Sequence, residues 1–169
     1  FAKDLFSQPE WNTQVVTATY RKVLFRDPDA GGLTYWTSKL ASGFRSANLA
    51  AALYSSNEFY EGAGGTPEAY VDVVYVSILE RPSDSVGKAY WVRRLNSGEP
   101  RSVIARSFWL TTESNTRRVS ALYLKFLLRS ADRDARTAWS KRLIAEDDRV
   151  LAAYLVTSDE YYRWSQTRK

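Results

Sequence analysis

Cysteine, histidine and methionine are absent from the sequence. Without cysteine there is no disulfide, thiolate nucleophile or thiolate metal site. Without histidine the usual general base and the commonest transition-metal ligand are missing. No run approaches the roughly 18 uninterrupted apolar residues of a membrane-spanning helix, and no charged-then-apolar leader opens the chain, so a soluble protein is expected. The sequence starts at Phe1 without an initiator, and the expectation is an excised piece or mature product of a longer protein with other domains.

What remains has a globular composition, 44% apolar, 25% charged and 14% aromatic. The net charge of +5 raises nucleic acid as a partner, but its distribution argues otherwise. Residues 1–113 hold 12 Lys and Arg against 12 Asp and Glu, and residues 114–169 hold 12 against 7. In that last third Arg117, Arg118, Arg129, Arg133, Arg136, Lys141 and Arg142 are interleaved with Asp132, Asp134, Asp147 and Asp148. Such mixing reads as a solvated helix face, not a phosphate track, and no nucleic-acid partner is expected.

The sequence repeats itself. An offset of 55 pairs Tyr20 with Tyr75, Leu24 with Leu79, Arg26 with Arg81, Asp29 with Asp84, Gly32 with Gly87 and Tyr35-Trp36 with Tyr90-Trp91. A further 48 positions carry Tyr75 to Tyr123, Arg81 to Arg129, Asp84 to Asp132 and Trp91 to Trp139, while Ala135 and Ala138 replace the Gly and the Tyr. Glu58, Glu113 and Glu160 close the three copies. Repetition at this period predicts an all-α fold of three tandem helical repeats, about three helices each, packed as one compact array. The expected divisions are a leading helix or cap over 1–11 and repeat units over 12–66, 67–115 and 116–169.

Within the first unit, Asn12 or Thr13 is expected to cap a helix carrying Val15, Val16, Tyr20, Val23 and Leu24. Asp29 is a good N-cap for a second helix stopped near Gly43, and Ser46 for a third running to Glu58-Phe59. Gly62, Gly64, Gly65 and Pro67 form one linker, and Ser114 to Thr116 a second, tighter one.

The recurring pattern resembles the bacterial family known as domain of unknown function 4214. Its Leu-x-Arg, Pro, Asp, Gly and Tyr-Trp elements stand here as Leu24-Phe25-Arg26-Asp27-Pro28-Asp29, Gly32 and Tyr35-Trp36. They recur as Leu79-Glu80-Arg81-Pro82-Ser83-Asp84, Gly87 and Tyr90-Trp91. That family looks related to phycobilisome linker domains and occurs as modules of large secreted bacterial proteins. The resemblance implies export or a cell-surface location and a non-catalytic role.

Repetition also separates architecture from chemistry, since a catalytic site is needed once and a packing rule recurs. Trp36, Trp91 and Trp139 read as core anchors. Arg26, Arg81 and Arg129 read as helix-end clamps, pairing with nearby carbonyls, with the following Asp or with the recurrent Glu. Asp27-Pro28-Asp29 lacks the ligand set of a calcium loop, and no carboxylate pair is singled out, so neither a metal or other cofactor nor an enzyme is expected. The expected function is a binding module that engages a cell-envelope glycan through aromatic and polar residues, with Tyr35, Asp29, Tyr54, Tyr90, Asp84 and Trp109 as candidates. The alternative is a protein-binding module for adhesion or assembly.

Overall fold

The computed structural model of the chain describes residues 8–166, except for the side chain of Trp164. Residues 1–7 of the expected leading segment thus lie outside the described residues. Among the described residues the protein is all-helical. The first helices are α1 (Pro9–Leu24), α2 (Ala30–Ala41), α3 (Ser46–Tyr54) and α4 (Asn57–Gly62). They are followed by α5 (Pro67–Leu79), α6 (Ser85–Asn96) and α7 (Arg101–Trp109). The last four are α8 (Thr112–Leu127), α9 (Arg133–Arg142), α10 (Asp148–Val156) and α11 (Asp159–Gln166).

Local chemistry sets most helix ends. Asp29, Asp84 and Asp132 cap α2, α6 and α9 by accepting the N–H of Gly32, Gly87 and Ala135 at 2.8, 2.7 and 2.8 Å. Ser56, Thr66 and Thr111 cap α4, α5 and α8 in the same way. The expected arginine clamps form. Arg26 grips Glu58 with two N–H groups at 2.6 and 2.7 Å, Arg81 grips Glu113 at 2.8 and 3.2 Å, and Arg129 grips Glu160. Each arginine also donates to a carbonyl of its own turn and lies over the ring of Tyr20, Tyr75 or Tyr123. These pairs are about 40% exposed, so their main effect is to fix the turn geometry and their contribution to stability is small.

Just before each clamp the chain takes a left-handed step at Phe25, Glu80 and Leu128, with φ of 56°, 51° and 53°. A side chain held there costs about 1–2 kcal/mol, which glycine avoids. Phe25 is 87% exposed and has little packing to lose. Phe25→Gly is therefore expected to stabilise the protein by about 1 kcal/mol. The measurement is the urea midpoint, and an unchanged or lowered midpoint would contradict this account of the turn.

Four boundaries differ from the sequence expectation. The first helix begins at Pro9 with Gln8 in the cap position, and Asn12 is buried inside it. Ser46 is the first residue of α3 and not its cap; its N–H is held by Asp147 from the start of α10, at 2.7 Å. The third helix stops at Tyr54, because Ser56 caps a separate α4. No linker exists at Ser114 to Thr116, which lie inside the continuous α8.

Apolar packing divides the molecule into two lobes. One core gathers Val16, Leu49, Tyr54, Val74, Ile104 and Phe108 from α1 through α7. The other gathers Val119, Tyr123, Trp139, Leu143, Leu151 and Leu155 from α8 through α11. Trp36 and Trp91 pack against the first core, partly buried, and Trp139 lies within the second at 6% exposure. The expected anchor role of these tryptophans accounts for their positions.

Candidate functional site

Between the lobes runs a cleft of about 380 Å³. Its walls are α1 and α8, and α10 contributes Asp148, Arg149 and Ala152. Trp11, in the first turn of α1, stacks on Phe126, in the last turn of α8, with ring centroids 6.2 Å apart. At the other end Lys22, in the last turn of α1, lies 5.9 Å from the ring of Trp109, just before α8 begins. The two helices therefore face each other antiparallel. From α1 the lining comes from Trp11, Val15, Ala18 and Lys22, and from α8 from Arg118, Ala121, Leu122 and Lys125. The α1 set recurs every three or four residues, and the α8 set falls at 118, 121, 122 and 125; each is the pattern of a single helix face.

This explains α1. Its Asn12, Val16, Tyr20 and Val23 enter the buried side, while Trp11, Val15, Ala18 and Lys22 form an adjacent stripe left to the cleft. The sequence reading merged both stripes into one apolar face and missed Trp11, Lys22, Lys125 and Phe126. The available signal was an apolar arc too wide for one contact.

The floor is a buried polar junction. Arg118, 8% exposed, donates to Asp148 at 2.7 Å, to the Trp109 carbonyl at 2.6 Å, to Ser114 at 2.7 Å and to Asn115 at 2.6 Å. Arg149, 5% exposed, reaches Asn12 at 3.2 Å, the Leu40 carbonyl at 3.0 Å, the Phe44 carbonyl at 2.8 Å and both oxygens of Asp147. Asp147 and Asp148, expected on an exposed face, instead lie at this junction, Asp147 accepting from Ser46 of the first lobe and Asp148 holding Arg118, which itself reaches the Trp109 carbonyl. Burial pushes the Asp148 carboxyl above its ordinary value, opposed by Arg118. For Asp147 burial acts in the same upward direction, but hydrogen bonds from Arg149 and Ser46 outweigh it and hold the carboxyl low. Desolvation at the cleft lowers the Lys22 ammonium, with Arg118 adding to the effect and Glu80 and Asp148 opposing it.

Of the six residues expected from sequence, Trp109 lines this cleft. Its ring is covered by the Arg118 guanidinium at 4.4 Å, and it is 7% exposed. Tyr54 is fully buried, edge-on to Phe59 at 5.1 Å, so it belongs to the first core and is no ligand contact. Asp29 and Asp84 are spent on helix capping. Tyr35 and Tyr90 are exposed, at 55% and 42%, and each stands edge-on to its neighbouring tryptophan. Tyr90 lines a separate shallow depression with Val86 and Arg93, and its hydroxyl accepts from Arg94 at 2.9 Å.

Among the described residues the single carboxylate in the cleft lining, Asp148, is held by Arg118. Among the described residues no three His, Cys, Asp or Glu side chains converge as metal ligands, and no helix is long and apolar enough to cross a membrane. What the described residues of the cleft offer chemically is apolar contact and two lysines.

The family model described as Domain of unknown function (DUF4214) matches residues 2–63 and again residues 50–118. No curated protein and no solved structure matches the chain.

Proposed function

The chain belongs to the DUF4214 family, and on that footing we propose a non-catalytic binding module that holds a protein partner in the cleft between α1 and α8. The observation that carries this reading is the pair of facing helix stripes with an open cleft between them. Their aromatic and aliphatic residues resemble the core of a protein interface, with basic residues around them. Neutral hydrogen-bonding groups that read sugar hydroxyls are few in this lining, chiefly Gln14, Thr19 and Ser46. A secreted or surface-attached bacterial setting belongs to the same proposal and is supported by the family resemblance.

A glycan reading rests on a different observation. Tyr35 and Tyr90 are equivalent, exposed and braced by Trp36 and Trp91, and Arg94 joins Tyr90 to Glu99. That is an aromatic platform beside polar groups, the arrangement that stacks on a sugar ring. Ala121 is exposed in the cleft, so Ala121→Trp fills the cleft without entering either core. The expected result is loss of partner binding by calorimetry, at least tenfold, with an unchanged far-UV spectrum. Binding of envelope oligosaccharides that survives Ala121→Trp and disappears in Tyr90→Ala would replace the protein reading by the glycan one.

A further inference from the structure

We infer that the occupant of the cleft is an amphipathic helix of a partner protein, its apolar face flanked by a carboxylate at each end. This rests on the reading of the cleft as the binding site. Two of the three elements of a three-helix contact are already in place, since α1 and α8 lie antiparallel and present stripes at helical spacing to the same space. From Trp11 to Lys22 the α1 stripe is roughly 16 Å long, about three turns of a guest helix. At mid-length the walls are Ala18 and Ala121, both exposed, so a third backbone meets no bulky side chain there.

Charge selects among apolar helices. Lys22 marks one end of the cleft and Lys125, beside Phe126, the other. Among the described residues neither forms an ion pair, whereas Arg118 and Asp148 neutralise each other at the floor. The cleft thus carries at each end a lysine outside any ion pair, with Glu80 and Asp148 acting on Lys22 only beyond ion-pair distance, and an apolar middle. A carboxylate in the first and last turns of a guest complements that pattern, and lysines in the same places oppose it. The walls also keep two buried indole N–H groups, of Trp11 and Trp109, with no acceptor among the described residues.

The test uses capped synthetic helices of about four turns, with leucine every third or fourth residue and either glutamate or lysine in the first and last turns. Binding is read from the indole N–H resonances of Trp11 and Trp109. The glutamate helix is expected to shift both and to bind at least tenfold more tightly than the lysine helix. Lys22→Glu combined with Lys125→Glu, both at exposed positions, is expected to reverse that preference. Equal binding of the two helices, or a preference unchanged by the double reversal, overturns the acidic partner while leaving the cleft a binding site. If neither helix moves these resonances at about 1 mM and an envelope oligosaccharide does, the protein reading falls with it. Concentration-dependent shifts of the same indoles in the protein alone would assign the cleft to a second copy and also overturn the proposal.

Discussion

Arg149→Ala is expected to destabilise the protein by about 3–5 kcal/mol, the range found when one member of a buried ion pair is removed. The guanidinium is 5% exposed and satisfied on every side by Asn12, the carbonyls of Leu40 and Phe44, and Asp147. Removing it leaves a carboxylate that is only 10% exposed, with Ser46 as its remaining hydrogen-bond partner across the lobes. The alternative, that Arg149 merely fills space, predicts a loss near 1 kcal/mol. Arg149→Lys separates the two, because one ammonium cannot reach three directions held by a planar fork. Chemical denaturation of the three proteins measures the effect, and a loss under about 1 kcal/mol for the alanine variant would refute the junction as described.

The location of the damage is as informative as its size. The two cores share few apolar residues across the junction, so weakening it should uncouple them. Hydrogen exchange is expected to speed up first at the Ser46 amide and at the start of α10, ahead of the interior of α5. Acid should act at the same place. The Asp147 carboxyl is held below its ordinary value of 3.8, so the unfolded chain takes up its proton first as pH falls. Its contribution is complete above pH 3.8 and is lost as pH drops below that value. The Arg149→Ala variant should show less of this acid sensitivity.

Much of the fold was legible because it obeys local rules that recur. Asp29, Asp84 and Asp132 hold equivalent positions in the three copies, and each caps the helix that follows with matching geometry. The arginine and glutamate of each copy sit 31 or 32 residues apart and still meet, since the intervening helices repeat as well. The division into two lobes was not legible. It depends on Arg149 meeting Asn12 across 137 residues of chain, at positions that follow no period. In sequence, Arg118, Asp147, Asp148 and Arg149 look like any charged helix surface, and only the three-dimensional packing takes them out of water.

The site divides in the same manner. Tyr35 and Tyr90 stand out because the third copy keeps the tryptophan but replaces the tyrosine with Ala138, and both side chains are exposed. Tyr54 is the counterpart of Trp109 at the offset of 55, yet tertiary contact buries it among Phe59 and Trp109. The cleft itself is a property of how α1 and α8 face each other. Its lining residues have ordinary neighbours in sequence and acquire meaning only across the gap.

The second large effect concerns the glycine of the motif. Gly87→Ala is expected to destabilise by about 1–3 kcal/mol, although alanine is by nature the better helix former. An added Cβ at Gly32 would lie 2.7 Å from the Tyr20 hydroxyl, and at Gly87 the Tyr75 hydroxyl is nearer still. The Tyr75 ring cannot retreat, because it is 4% exposed and wedged between Phe108, at 4.8 Å, and the Arg81 guanidinium, at 5.1 Å. Deleting only the offending oxygen should therefore change the sign. In a Tyr75→Phe background Gly87→Ala is expected to be neutral or stabilising by up to about 1 kcal/mol, the intrinsic helical preference of alanine. A double-mutant cycle of thermal or urea unfolding then gives a coupling of roughly 2 kcal/mol, whereas simple additivity would mean the glycine is kept for another reason. Gly32→Ala should have the smaller effect of the two, since its Cβ has more room beneath the hydroxyl. The third copy carries alanine at this position, Ala135, which packs against the same core as its equivalent tyrosine, Tyr123.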